Sequence, residues 1–191
     1  LVAGCIVPDS EIRLPGTGLN PTRNALLKIL KQMGADITIE NERMEGAEPV
    51  GDIIVRTSEL RAISIEKNLI PNCIDELPII AVAMTFAYGT SVISGAEELR
   101  HKETDRIMAI AKMLKAVGAN FEEMEDGLVI RGNPEFEFKS GRFRSFHDHR
   151  IAMASAILSL KGSTNSQIED AECAAVSYPS FWDDLEVLVN G

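Results

Sequence analysis

The chain has 191 residues, 45% of them hydrophobic, and a formal net charge of −10. That length and apolar content suit one compact domain with a real core, residues 1–191,. The negative balance argues against nucleic acid or an anionic membrane surface as a partner, since both require a dominating basic face. No uncharged apolar run approaches the roughly eighteen residues of a membrane span, and no signal-like pattern opens the chain, so the expected compartment is the cytoplasm. Cys5, Cys73 and Cys173 are far apart and lack metal-ligand spacing. Neither a disulfide framework nor a metal site is expected, and the three thiols are read as small buried hydrophobes.

In chain order, Leu1 to Val7 reads as the closing turns of an apolar helix whose beginning is absent, so the chain is expected to be part of a longer polypeptide. A surface helix follows, with Asn20 as N-cap and Pro21 in the first helical position. It runs through Leu26, Leu30 and Met33 to the capping Gly34,. Ile37 with Ile39, and Ile53 to Val55, predict two strands,. Leu77 to Ala87 is apolar on nearly every side, the composition of a helix at the centre of a core,. Ile107, Ile110, Leu114 and Val117 then mark one face of an amphipathic helix that begins near Arg106 and ends at Gly118,. Phe121 and Leu128 to Ile130 predict a hairpin turning at Asp126-Gly127, and Ile151 to Leu160 predicts another buried helix,.

These segments repeat. Ile29 to Asp36 is echoed by Met113 to Asn120, and a shift of 73 residues carries Asp75 onto Asp148, Gly89 onto Gly162 and Gly118 onto Gly191,. The unit reads as buried helix, strand, surface helix, strand, strand, in repeats of about 1–66, 67–139 and 140–191. Gly191 is expected to cap the last surface helix, which leaves the final two strands to be supplied from elsewhere. If the copies are arranged symmetrically, the buried helices start with equivalent aspartates whose N-termini point the same way.

Two charged strings stand at predicted helix starts: Leu99 to Arg106, and Asp148-His149-Arg150 running into an apolar helix. Lys102, Glu103, Asp105 and Arg106 taken singly fit an ordinary solvated helix entry as well as a site. The triplet at 148–150 is harder to place on a surface, because burial at the mouth of an apolar helix must be offset by partners or by a ligand. Asp75 fits either a site or a plain N-cap.

These strings, KETDR at 102–106 and DHRIAMA at 148–154, resemble the C-terminal half of the 5-enolpyruvylshikimate-3-phosphate synthase family. So do Gly18 to Arg23, Asp75 to Pro78 and Ser177-Tyr178-Pro179, in the same order along the chain. The resemblance implies an α/β (α+β) fold in which repeated units place buried helices at the centre and four-stranded sheets outside. It implies a two-domain enzyme of the shikimate pathway to chorismate and the aromatic amino acids. That enzyme transfers the enolpyruvyl group of phosphoenolpyruvate to the 5-hydroxyl of shikimate 3-phosphate and releases phosphate, without metal or cofactor. The N-terminal domain would be absent here, so this chain alone is expected to be inactive.

By the same resemblance Asp75 is the candidate base on the 5-hydroxyl and Glu103 the candidate acid toward the methylene carbon. Asp75 and Lys102 contact shikimate 3-phosphate, and Arg106, Arg150 and His149 face phosphoenolpyruvate, with His149 a donor to Glu103 or to phosphate. Guanidinium forks suit the phosphate and carboxylate of that substrate, and paired carboxyls in unlike surroundings suit acid and base work. Glyphosate sensitivity is expected as a class property. One departure stands at Ala174 to Ser177, where some members carry a lysine; Val176 is read instead as a packing position. Two alternatives remain: a UDP-N-acetylglucosamine enolpyruvyl transferase, and a non-catalytic domain of the same fold.

Overall fold

A computed structural model describes residues 1–190. In chain order the elements are α1 (Val2–Ile6), β1 (Glu11–Gly18), α2 (Ala25–Gln32), β2 (Asp36–Glu45), β3 (Glu48–Arg56), β4 (Ser64–Ile65), α3 (Ile70–Cys73), α4 (Leu77–Thr85) and β5 (Gly89–Ile93). After them come α5 (Arg106–Val117), β6 (Phe121–Met124), β7 (Gly127–Gly132), β8 (Arg142–Arg144), α6 (His149–Ser159), β9 (Gln167–Glu169) and α7 (Phe181–Asn190). Gly191, read from the sequence as a helix cap, lies outside the described residues.

The centre of the fold is helical. Every residue of α4 except Ile79 is buried, and α1 and α6 pack against it, so helices without a polar face find apolar neighbours all round,. Around them lie a three-stranded antiparallel sheet in the order β1-β3-β2, a four-stranded sheet in the order β4-β5-β7-β6, and the parallel pair β8-β9. Only one sheet therefore has the expected four strands among the described residues. In the second sheet β4 runs parallel to β5, while β6 and β7 form an antiparallel hairpin that turns at Glu125-Asp126, one residue before the expected Asp126-Gly127, because Gly127 already pairs with Met124.

Helix α5 behaves as its punctuation predicts: Asp105 Oδ1 accepts from Met108 N at 2.9 Å, and Gly118 takes φ +78° at the other end,. Helix α2 starts later than expected. Asn20 does not cap it; its carboxamide oxygen accepts from Thr22 N at 3.0 Å and Thr22 Oγ1 at 2.8 Å, closing a local turn over Pro21 to Arg23,. The helix begins after Asn24 instead. Cys5 and Cys73 are buried and burial pushes each thiol up to about 11, whereas Cys173 is only half-buried, so one of the three is not a core hydrophobe.

Asp52, in the middle strand of the first sheet, holds both edge strands where they bulge. Its Oδ1 accepts from Gly16 N at 2.9 Å, and its Oδ2 accepts from Asn41 Nδ2 at 2.9 Å and Arg13 Nη2 at 3.0 Å. Gly16 and Asn41 sit in the two register shifts with φ of +60° and +52°,. The bonds from Asn41, Gly16 and Arg13 hold the Asp52 carboxyl well below the usual carboxylate range,. Because its folded-state value is depressed, Asp52 contributes stability above the ordinary carboxylate pKa and loses it as the pH falls toward the folded value. Asp52→Ala should therefore lower the urea midpoint at pH 7, and the gap from the unsubstituted chain should narrow as the pH is taken below about 5. A gap that is constant across this range would show that the carboxylate is not the source.

Candidate active site

The first turn of α5 sends Arg106 inward. Upstream, Arg100 ties the approach to the β6–β7 turn, donating from Nη2 to Met124 O at 2.7 Å, from Nε to Glu125 O at 2.7 Å and from Nη1 to Asp105 Oδ2 at 2.8 Å. With Asp105 fixed as cap, Arg106 enters the core between the starts of α4 and α6. Its side chain is 1% exposed, and a buried guanidinium requires acceptors,.

It has three. Arg106 Nε donates to Asp148 Oδ2 at 2.7 Å, Nη1 to Asp75 Oδ1 at 2.8 Å and Nη2 to Glu103 Oε2 at 2.7 Å. The second N–H on each terminal nitrogen has no hydrogen-bond partner among the described residues,. Asp148 is the buried N-cap of α6: its second oxygen accepts from Arg150 N at 2.9 Å and Ile151 N at 3.3 Å. Asp75, in the 3₁₀ turn Ile74–Glu76 that leads into α4, makes no capping bond. Its carboxylate faces cations instead, which separates it from the plain N-cap reading. Through Arg106 the starts of α4 and α6 are thus brought to one point.

The outer layer of the cluster reaches solvent. Lys102 Nζ lies 3.7 Å from Asp75 Oδ1, and Arg150 Nη2 lies 3.5 Å from Asp75 Oδ2 while its Nη1 donates to Asp75 O at 3.0 Å. Asp75 and Glu103 are 41% and 54% exposed and Lys102 and Arg150 each 32%, against 0% for Asp148. Burial pushes the Asp75 carboxyl upward, but Arg150, Arg106 and Lys102 together hold it below the usual range. Burial also raises Glu76, with Arg150 Nη1 at 4.0 Å pulling the other way. An oxyanion reaching this face meets two cations, Lys102 and Arg150, that share the half-exposed Asp75 carboxylate, with Glu76 a more distant second partner of Arg150.

Five of the six candidate residues are therefore together: Asp75, Lys102, Glu103, Arg106 and Arg150. His149, half-buried in the first turn of α6, is not joined to Glu103, whose carboxylate is taken by Arg106; among the described residues its ring makes no hydrogen bond. Val176 is 80% exposed and so is not a packing position. Tyr178 in the Ser177-Tyr178-Pro179 string has a structural task, its hydroxyl donating to Asp184 Oδ2 at 2.8 Å at the start of α7. Sequence reasoning missed what Asp148 does, although the 73-residue shift that pairs it with Asp75 pointed to it. No group of three or more His, Cys, Asp or Glu side chains among the described residues could hold a metal ion, and no helix there is long and apolar enough to cross a membrane.

Repeated α/β units around buried helices, with charged residues gathered where those helices start, define an enolpyruvyl transferase-like domain. Two structures of EPSP synthase from Acinetobacter baumannii match with a TM-score of 0.90, at 39% and 37% identity, covering 99% and 98% of this chain and 43% of theirs. The enolpyruvyl transferase NikO from Streptomyces tendae matches with a TM-score of 0.70 at 18% identity, over 98% of this chain and 40% of its own, a likeness of fold alone. A family profile described as EPSP synthase (3-phosphoshikimate 1-carboxyvinyltransferase) matches residues 1–185, and the chain belongs to that family. Curated 3-phosphoshikimate 1-carboxyvinyltransferases agree. That of Salinibacter ruber is 55% identical over 185 residues, covering 97% of this chain, and that of Chloroflexus aurantiacus 49% identical over 187, covering 98%. The chain spans 43% of the length of each.

Proposed function

We propose that this chain supplies one domain of a two-domain enzyme that transfers the enolpyruvyl group of phosphoenolpyruvate to the 5-hydroxyl of shikimate 3-phosphate and releases phosphate. The observation that carries the reading is the cluster around Arg106, in which the family's charged residues meet at one open face. The missing length of the relatives corresponds to the partner domain, which closes over that face and brings the remaining contacts to both substrates.

In this reading Arg150 and Arg106 bind phosphoenolpyruvate, Lys102 lies near the reacting hydroxyl, and His149 faces phosphate. Asp75 takes the proton of the 5-hydroxyl as its oxygen attacks C2 of phosphoenolpyruvate, and Glu103 gives a proton to C3. Departure of phosphate from C2, with the proton that Asp75 took passing to the phosphate and a C3 proton returning to Glu103, restores the double bond and both carboxyl groups to their starting states. The cations that depress Asp75 are the ones the substrate anions recruit. Each cation so diverted raises the proton affinity of Asp75 at the moment a base is needed. Fixed positive groups around the developing charge supply further rate.

The test is phosphate release from phosphoenolpyruvate in the presence of shikimate 3-phosphate, by this chain alone, by the complementary domain alone and by the two mixed. Turnover only in the mixture is the expected result. Turnover by this chain alone, or none in a mixture shown to assemble, overturns the reading.

A further inference from the structure

We propose that Asp148 is a positioning residue whose one buried carboxylate sets both guanidinium groups of the site. The proposal rests on the functional reading above. Asp148 is fully buried and both of its oxygens are taken within the chain, each facing a different element. Oδ2 takes Arg106 Nε at 2.7 Å, fixing the plane of that guanidinium at the start of α5. Oδ1 takes Arg150 N at 2.9 Å and Ile151 N at 3.3 Å, fixing the first turn of α6, which carries Arg150. From that turn Arg150 reaches the carbonyl of Asp75 at 3.0 Å.

Capping does not explain the residue. Asparagine and serine cap a helix about as well as aspartate, and neither would need a second oxygen on a buried guanidinium. Nor is stability a sufficient account, because a buried ion pair contributes little net stability relative to well-packed apolar groups. The chain is also bent to deliver this carboxylate. Phe146 and His147 take φ of +56° and +58°, a costly conformation for side chains of their size, and the bend is held by Asp148 N donating to Ser145 O at 3.0 Å and His147 N to Ser145 Oγ at 3.1 Å,. A residue that links the direction of one arginine to the placement of another controls the distance between two anion-binding groups, to which rates and affinities are sensitive.

The experiment uses the full two-domain polypeptide with Asp148→Asn and Asp148→Ser, both of which keep a cap acceptor. The expected result is a KM for phosphoenolpyruvate raised by about tenfold to a hundredfold, exceeding any change in KM for shikimate 3-phosphate, in variants that stay folded at the assay temperature but melt below the unsubstituted enzyme because Arg106 Nε loses its acceptor,. In the double variant Asp148→Asn/Arg106→Lys the losses should be strongly non-additive, since both changes break one geometry. An unchanged KM for phosphoenolpyruvate in either variant overturns the proposal. So does unfolding of both variants, which would make the role structural. No turnover by the unsubstituted polypeptide would instead sink the enolpyruvyl-transfer reading, so the two failures are told apart.

Discussion

Arg106→Leu should destabilise the chain by about 3–5 kcal/mol, because it leaves the wholly buried Asp148 carboxylate without its cation,. Asp75 and Glu103 can turn toward water when Arg106 goes; Asp148 cannot. Urea unfolding reads the loss directly. The double variant Arg106→Met/Asp148→Asn should recover much of it, since the stranded charge is removed while the α6 cap is kept. Activity of the assembled enzyme should stay absent in both. Arg106→Lys should fall between them in stability, because an ammonium on a flexible stem retains the charge but cannot present the guanidinium fork to three carboxylates at once. If Arg106→Leu unfolds at the same urea concentration as the unsubstituted chain, the buried cluster is not what ties α5 to the starts of α4 and α6.

Elements with strong local pattern were legible in the sequence. Helix α4 is apolar on every side, and α5 has helical spacing between a capping aspartate and a glycine with positive φ, so local and tertiary preferences agree,. Disagreement begins where one local signal has two uses. Asn20-Pro21 reads as a cap and first helical residue, yet the same asparagine oxygen closes a turn, and α2 starts four residues later than Pro21. Strands β2 and β3 outrun their apolar cores, because from Glu40 to Glu48 the hairpin is exposed and its ladder needs no hydrophobic alternation. Parallel strands of two or three residues such as β4, β8 and β9 are too short to carry any periodicity at all.

At the site, sequence placed the residues but not their partners. Arg106 and Asp148 are separated by 42 positions, and Asp75 lies 31 before Arg106. Nothing local says that the arginine turns into the core rather than out to solvent. Taken by itself Arg106 fits a solvated helix entry as well as a site, whereas in the fold three of its donors are used by carboxylates within the chain. The ambiguity at Asp75 was physical too: an aspartate just before an apolar helix has the composition of a cap, and only the convergence of Lys102, Arg106 and Arg150 on it distinguishes the two uses.

That convergence makes a prediction about protons. In the isolated chain, the Asp75 carboxyl followed by carbon-detected NMR should titrate below the usual aspartate range, and Arg150→Ala should move it upward. Arg150 is the strongest of the groups opposing its burial, and the desolvation remains when the arginine is gone,. The sign for stability follows: a depressed carboxyl stabilises the fold above its unfolded-state pKa, and that contribution fades as the pH falls through its folded value. In the assembled enzyme Asp75→Asn and Glu103→Gln should each lower kcat by about 10²- to 10⁴-fold, the usual reach of a positioned acid or base. They should differ in kind. Asparagine at 75 also removes the anion that Lys102 and Arg150 share, leaving only the longer Arg150–Glu76 contact, so substrate anions should bind at least as tightly while turnover falls. Glutamine at 103 leaves those two cations paired with Asp75, so binding should change little. An Asp75 carboxyl that titrates normally, or is indifferent to Arg150→Ala, would mean that the cations do not govern it; substrate binding could not then raise its basicity, and the proposed timing of the base would fail.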